Sequence, residues 1–315
     1  MSARWASRGR GTTRSASAGL LVTLFASSPV AHAQRIELDA RLASRSMDLG
    51  RSALPAAVGR GAGGLAQALA WRTARPGVQV AELDLRAGAL GIPVHAIVVR
   101  CDPRLVSFAL QLRTESNGMT GTWRIDSMPD DAVLGMNAGQ FKETGPWGWL
   151  VLDGERRREA LRAPLAASVG IDSAGRLRWI EPGRERVARG LRFGFQSFPR
   201  LLERGNVPRV LRDPALMDMA HRDARLMLAE SADGLILFVL TRFGALGAVA
   251  ERVPIGLTTP ESVALVIALG ARDAVMLDGG ISGQLLVRDS TGGSTAWRGL
   301  RPVPLGLVAL PAGHH

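Results

Sequence analysis

Ala274-Val-Met-Leu-Asp278-Gly-Gly-Ile-Ser282-Gly283 is an apolar run that stops at a carboxylate and two glycines. Four apolar residues ahead of a turn describe a short buried strand that delivers Asp278 to its end. Gly279 and Gly280 remove the side chains that would forbid a tight turn or hold a neighbour at a distance. Upstream, Thr258-Thr-Pro-Glu261 has the spacing of a capping box with proline in the first turn. A helix is therefore expected over 262–269, with Gly270 as its stop and 271–273 as a tight connection into the strand.

Outward from this unit, apolar runs at 78–85, 95–100, 132–136 and 149–152 read as strands. The pairs 168–171/177–180 and 225–229/235–241 read as hairpins around Asp-Ser-Ala-Gly175 and Ala-Asp-Gly234. Helical periodicity is sparse elsewhere. These elements predict an α+β fold, a mixed, largely antiparallel β-sheet with a few flanking helices, forming a single domain over 65–310.

The first 33 of the 315 residues have the form of a signal peptide. Arg4, Arg8, Arg10 and Arg14 make a basic start without an acid, 18–26 is a short apolar core, and Ala31-His32-Ala33 is a small-x-small cleavage site. The core is too short to span a bilayer, and no later stretch approaches that length without charges. The expectation is an exported protein, periplasmic or secreted, with no integral membrane segment after leader cleavage. Residues 34–64, rich in Ala, Gly, Arg and Ser, read as a flexible N-terminal extension.

Of the formal net charge of +11, four units sit on leader arginines, leaving seven after cleavage. Lys142 is the single lysine, so the cations are arginines, which favour phosphate-bearing or otherwise anionic partners. The arginines are dispersed and aromatic content is 5%, which argues against a nucleic-acid partner. Cys101 is the only cysteine and reads as a small buried hydrophobe. After the leader only His95, His221, His314 and His315 remain, so a zinc site or a histidine dyad cannot be assembled. Any chemistry falls to carboxylates and arginines.

Five polar clusters lie at the ends of apolar runs beside glycine: Asn137-Ala-Gly-Gln-Phe141, Gly148 to Gly154, Phe195-Gln-Ser-Phe-Pro199, His221-Arg-Asp-Ala-Arg225 and Asp278-Gly-Gly-Ile-Ser282. In this order the chain resembles the phosphodiester glycosidase family. An Asn-Gly-Gly-Phe-Phe-like motif is matched by Asn137, Gly139 and Phe141, and a Gln-x-x-Pro-x-Leu segment by Gln196, Pro199 and Leu201. An Arg-x-x-Arg pair leading into a hairpin is matched by Arg222, Arg225 and Gly234. Leu-Gly-Ala and Leu-Asp-Gly-Gly-x-Ser are matched by 269–271 and 277–282. The departures are Ala138, Gln140, Leu226-Met227 and Ile281, whose bulk would reshape a substrate pocket.

The resemblance implies hydrolysis of a sugar-1-phosphodiester at the glycosidic bond, with a phosphate-containing glycan as substrate and no cofactor. It implies Asp278 as the catalytic carboxylate. Asn137, Gly139, Gln196, Arg222, Arg225, Gly279, Gly280 and Ser282 then bind sugar or phosphate. A guanidinium presents a planar donor fork to phosphate oxygens, although spacing on a strand would send Arg222 and Arg225 to opposite faces unless the chain bends. The residues leave open whether Asp278 is nucleophile or base, and whether Asp153 or Glu143 is its partner. Trp147 and Trp149, beside Gly148, are core packing or a stacking surface for a sugar. Two rival readings stand beside the hydrolase. One is a non-catalytic binder of anionic envelope polysaccharide. The other is a metal-assisted phosphodiesterase using Asp278 and Asp153 around calcium or magnesium.

Overall fold

The structure, a computed structural model, describes residues 64–88, 90–113, 121–143, 145–213, 215–245 and 253–313. The signal peptide and residues 34–63 of the expected extension lie outside these ranges. Within them the chain is mainly β. The central sheet runs, in spatial order, β1 (Arg72–Arg75), β2 (Val78–Ala87), β3 (Ile92–Cys101), β15 (Ile236–Phe243), β14 (Leu226–Ser231), β16 (Ala271–Leu277) and β13 (Arg200–Leu202). A second sheet has the order β11 (Leu177–Ile180), β10 (Ala167–Asp172), β12 (Leu191–Ser197), β8 (Leu150–Leu152) and β9 (Glu155–Arg158). A third has β18 (Ser294–Trp297), β17 (Leu285–Arg288), β5 (Leu134–Asn137), β19 (Leu305–Pro311) and β4 (Val106–Leu112). The short pair β6 (Phe141–Lys142) and β7 (Gly145–Pro146) completes the set.

The central sheet is buried on both faces. Side chains alternate along β14, so that Leu226 and Leu228 enter one core while Met227 and Ala229 enter another. The same alternation in β16 divides Val275 and Leu277 from Ala274 and Met276. The first core joins the central sheet to the other two five-stranded sheets through Phe108, Met136, Val169, Phe195 and Leu307. The second packs it against α1 (Gly64–Ala68) and α2 (Thr259–Ala268). Strands covered on both faces read as continuous apolar runs, which is why 274–277 carries no polar alternation.

The capping box forms as expected: Thr258 Oγ1 accepts the Glu261 amide at 3.3 Å, and Glu261 Oε2 accepts the Thr258 amide at 2.9 Å. Gly270 follows in the left-handed region at φ 82°. The strand then begins at once, so 271–273, expected as a connection, is already the first part of β16.

The expected fold class holds in part: the sheets are antiparallel and helices are few, but the balance is different. Only two α-helices occur among the described residues, and every sheet pairing between the described strands is antiparallel, so the fold is mainly β rather than α+β and the sheet is not mixed. The strands that shift the balance hide glycines. Gly194 in β12 lies against the Trp149 ring and Gly306 in β19 against Trp123, each where a Cβ would collide with the indole. Glycine there lowers strand propensity in the sequence while making room for a large buried aromatic.

Candidate active site

Asp278 is held by its own backbone at two points, and the turn that follows it at a third. Its amide donates to the Gly139 carbonyl at 2.8 Å, tying the end of β16 to the loop after β5. Its carbonyl accepts from Asn137 Nδ2 at 2.8 Å, and the same Nδ2 donates to the Ser282 carbonyl at 2.9 Å. Gly280 donates its amide to the Ala224 carbonyl at 2.7 Å. The two glycines make that approach possible. A Cβ on Gly279 would lie 2.5 Å from the Ala224 carbonyl oxygen, and Gly280 adopts φ 55° with Asp223 Oδ2 3.1 Å from where its Cβ would stand. The glycine pair therefore brings a second carboxylate, Asp223, beside the first.

These segments enclose a cleft of about 470 Å³ lined by Asp278, Asp223, Arg225, His221, Gln140 and Ser282 among others. Asp278 is raised to about 6, chiefly by burial. A hydrogen bond with the Ser282 side chain and the charge of Arg301 oppose the rise, and the charge of Asp223 adds to it. Asp223 is also raised by burial, against the pull of Arg225, the Ala224 amide and His221, whose Nε2 lies 3.8 Å from Asp223 Oδ2. One oxygen of each carboxylate, Asp278 Oδ2 and Asp223 Oδ1, is buried without a hydrogen-bond partner among the described residues. Two desolvated acids sharing a cleft, each with an unused oxygen, are poised for acid–base or nucleophilic work.

The remaining sequence candidates divide by what they touch. Arg225 lines the cleft. Its Nε donates to the Leu257 carbonyl and one Nη to the His221 carbonyl, while among the described residues the other Nη meets only the Met276 sulfur, at 3.5 Å. A thioether is a weak acceptor, so donor capacity is left for an anion. Arg222 makes a bidentate pair with Glu261, both bonds 2.7 Å, and also donates to the Gly256 carbonyl. The two arginines precede β14 rather than lying on it, and both converge on 256–261. Arg222 there anchors the start of α2 and does not line the cleft.

Asn137 is fully buried and acts on the loop backbone. Gln196 is buried in β12, where its side chain accepts the Trp149 and Leu161 amides and donates to the Leu161 carbonyl. Gly139 packs on the Gln196 carbonyl, where a Cβ would come within 2.9 Å. Gln196, Gly139 and Asn137 thus form a scaffold behind Asp278. Trp149 is buried in the core and Trp147 packs on Phe198 with ring centroids 4.8 Å apart.

Asp153 and Glu143, the partners considered from sequence, are elsewhere. Asp153 occupies the β8–β9 turn at φ 51°, pairs with Arg192, and lines a different cavity; Glu143 is exposed and does not line the cleft. That placement separates Asp153 from Asp278 and removes the two-acid cation site imagined for them. Among the described residues no group of three or more His, Cys, Asp or Glu side chains is placed to hold a metal.

Sequence reasoning quoted Asp223 inside 221–225 without giving it a role. Its signal was an acid between two arginines, three residues before an apolar strand. Arg301 gave no signal, since it reaches the site from a loop whose course only the fold fixes.

Among solved structures the chain is similar to the zebrafish N-acetylglucosamine-1-phosphodiester alpha-N-acetylglucosaminidase catalytic domain, auto-inhibited by its pro-peptide, with TM-score 0.58 and 14% identity over 75% of this chain and 84% of that one. It is also similar to a hypothetical protein from Synechocystis, TM-score 0.51 and 13% identity, over 75% of this chain and 62% of that one. Both likenesses concern the fold. A search of curated proteins found no match. The sequence profile of the phosphodiester glycosidases matches residues 130–310, which span the Asn137 loop, β12, the 221–225 segment and Asp278. The chain belongs to the phosphodiester glycosidase family.

Proposed function

We propose that this protein is an exported hydrolase that cleaves the glycosidic bond of a sugar-1-phosphodiester in an envelope or extracellular glycan. The observation that carries the reading is the pair of buried, unpartnered carboxylate oxygens of Asp278 and Asp223 in a cleft that also presents Arg225. Family membership supports a glycosidase-type reaction. The zebrafish protein's name adds a sugar-1-phosphodiester as the kind of bond cut. Export is supported by the basic leader and its small-x-small site; no helix among the described residues is long and apolar enough to cross a membrane.

In the proposed reaction the bond between the anomeric carbon and the phosphoryl oxygen breaks with its electron pair moving to that oxygen. Arg225, with Arg301 nearby, offsets the charge of the departing phosphate monoester. The phosphoryl group leaves as an anion, so little help from a general acid is needed. Asp278, ionised above pH 6, faces the anomeric carbon. As base it takes a proton from the attacking water; as nucleophile it bonds the carbon and water then releases the sugar, with Asp223 accepting that proton. Both routes give free sugar and a phosphomonoester. The anomer formed first distinguishes them. Asn137, Gly139, Gln196, Gly279 and Gly280 act through the loop by fixing where Asp278 stands, and Ser282 tunes its carboxylate.

The test is incubation of purified protein with a panel of sugar-1-phosphodiesters, the products identified by mass. Free sugar with the phosphate left on the other alcohol is expected from wild type and absent from Asp278→Asn. Sugar phosphate as the product would overturn the proposal.

A further inference from the structure

Ile281 follows the two glycines and lines the cleft while 44% exposed. Phe198 lines it as well, 36% exposed, with Trp147 packed on its ring at an interplanar angle of 57°. Leu300 is exposed and donates its amide to the Ile281 carbonyl at 2.7 Å. Met217 and Pro254 also line the cleft, and their chain neighbours Leu216, Val253 and Ile255 are exposed. Six of the eleven exposed large apolar side chains among the described residues therefore belong to the cleft wall or to chain adjoining it. None of the eleven lines the larger cavity on the sheet side of the molecule. Scattered exposed hydrophobes need no explanation, but a concentration around one polar-based cleft marks a binding surface.

A phosphodiester has two arms. The carboxylates, Ser282 and Arg225 supply polar partners for the sugar and the phosphate. The second arm meets Ile281, Phe198 and their apolar surroundings. A carbohydrate there would press hydroxyls against side chains that cannot hydrogen-bond them. Resting on the phosphodiester glycosidase reading above, we infer that the second arm is apolar: the preferred substrate is a sugar-1-phosphate esterified to a long aliphatic alcohol, as in a lipid-linked sugar, rather than to a second sugar. Ile281 supports this, because a branched apolar side chain, 44% exposed, stands in the cleft wall between Gly280 and Ser282.

The experiment compares diesters of one sugar-1-phosphate carrying methyl, butyl, octyl or hexosyl as the second arm, each below its micelle concentration. Burial of three or four of the seven added methylenes, at about 0.8 kcal/mol each, predicts a rise in kcat/KM of roughly 100-fold from methyl to octyl, carried mainly by KM. The double substitution Ile281→Ser with Phe198→Ser should draw the octyl-to-methyl ratio toward one. The ratio is read within one protein and is independent of its total active fraction. Should that variant not fold, Ile281→Ser alone, at an exposed position in the cleft wall, should lower the same ratio by several-fold. Equal use of all arms, or preference for hexosyl, overturns the inference while leaving the hydrolase reading intact. If no diester is turned over, the hydrolase reading fails. Calorimetric binding of the methyl and octyl diesters to wild type then decides the inference separately: tighter octyl binding upholds it, and equal binding sinks it.

Discussion

Two of the cavities among the described residues are of contrasting kind. The larger, about 780 Å³, opens among β4, β8, β9, β10 and β12, and is walled by Asp153, Asp172, Arg157, Arg158 and Arg192 with Phe108 and Phe193. Its charges are occupied. Asp172 accepts from Arg176 and Arg178 and from two backbone amides, which together hold its carboxyl below the ordinary range against the effect of burial. Asp153 pairs with Arg192, and Arg157 with Glu155. The smaller cleft, about 470 Å³, holds two acids raised by burial and two carboxylate oxygens without partners. Volume and positive charge alone would select the first cavity. The first also holds a buried Ser107 hydroxyl without a partner among the described residues, but unpartnered carboxylate oxygens line only the second, and a fold retains a buried unsatisfied acid only where something else compensates for its cost.

The sharpest attack on that contrast is Asp278→Asn, which should lower kcat by at least about 1,000-fold while calorimetry finds the substrate still bound. Retained turnover would move the chemistry elsewhere. Next comes Asp223→Asn, expected to cost about 100-fold. Because Asp223's charge helps raise Asp278, its removal should also shift the acidic limb of the kcat/KM profile, expected near pH 6 in wild type, toward lower pH. A limb that stays in place would uncouple the two acids. Arg225→Met should weaken turnover by about 10- to 100-fold. By contrast, Arg192→Ala in the larger cavity should alter kcat/KM by less than about twofold, since its partner is an exposed turn acid.

Stability offers an independent reading. Arg222→Ala leaves the buried Glu261 without its bidentate partner and should cost about 3 kcal/mol by denaturant unfolding. Asp278→Asn should act in the opposite direction. The folded protein holds the Asp278 proton to about pH 6, whereas the unfolded chain releases it near the ordinary carboxylate value of 3.8. Folding stability from this group therefore falls as pH rises from about 4 to 6. Removing the acid should recover up to about 3 kcal/mol at pH 7 and nothing at pH 3. A pH-independent difference would mean that Asp278 is not buried in solution.

Much of this was legible in the residues where local pattern and tertiary context agree. The Thr258–Glu261 cap, the Gly270 stop and the buried run ending at Asp278 are each set within a few positions, and each formed. The hairpins at Gly175 and Gly234 likewise announced themselves. What stayed hidden depends on partners distant in sequence. β12 and β19 contain glycines whose purpose is a tryptophan 45 or more positions away on the chain, so their strand character is weak locally. Gln196 and Asn137 were recognised as special, yet whether an amide faces a ligand or a carbonyl depends on which chain passes behind it. Asp223 escaped assignment because its role is created by Gly280, more than fifty residues later.

The Asn137 side chain, whose one nitrogen grips the carbonyls of both Asp278 and Ser282, has a consequence for how such a protein diversifies. The position of the acid is set from the rear, by groups that do not line the cleft. Residues at the front, such as Ile281 and Gln140, can therefore be exchanged over generations without disturbing the reacting centre. Descendants of one ancestor could in this way inherit the same bond-breaking apparatus while each acquires a different taste in what it is offered.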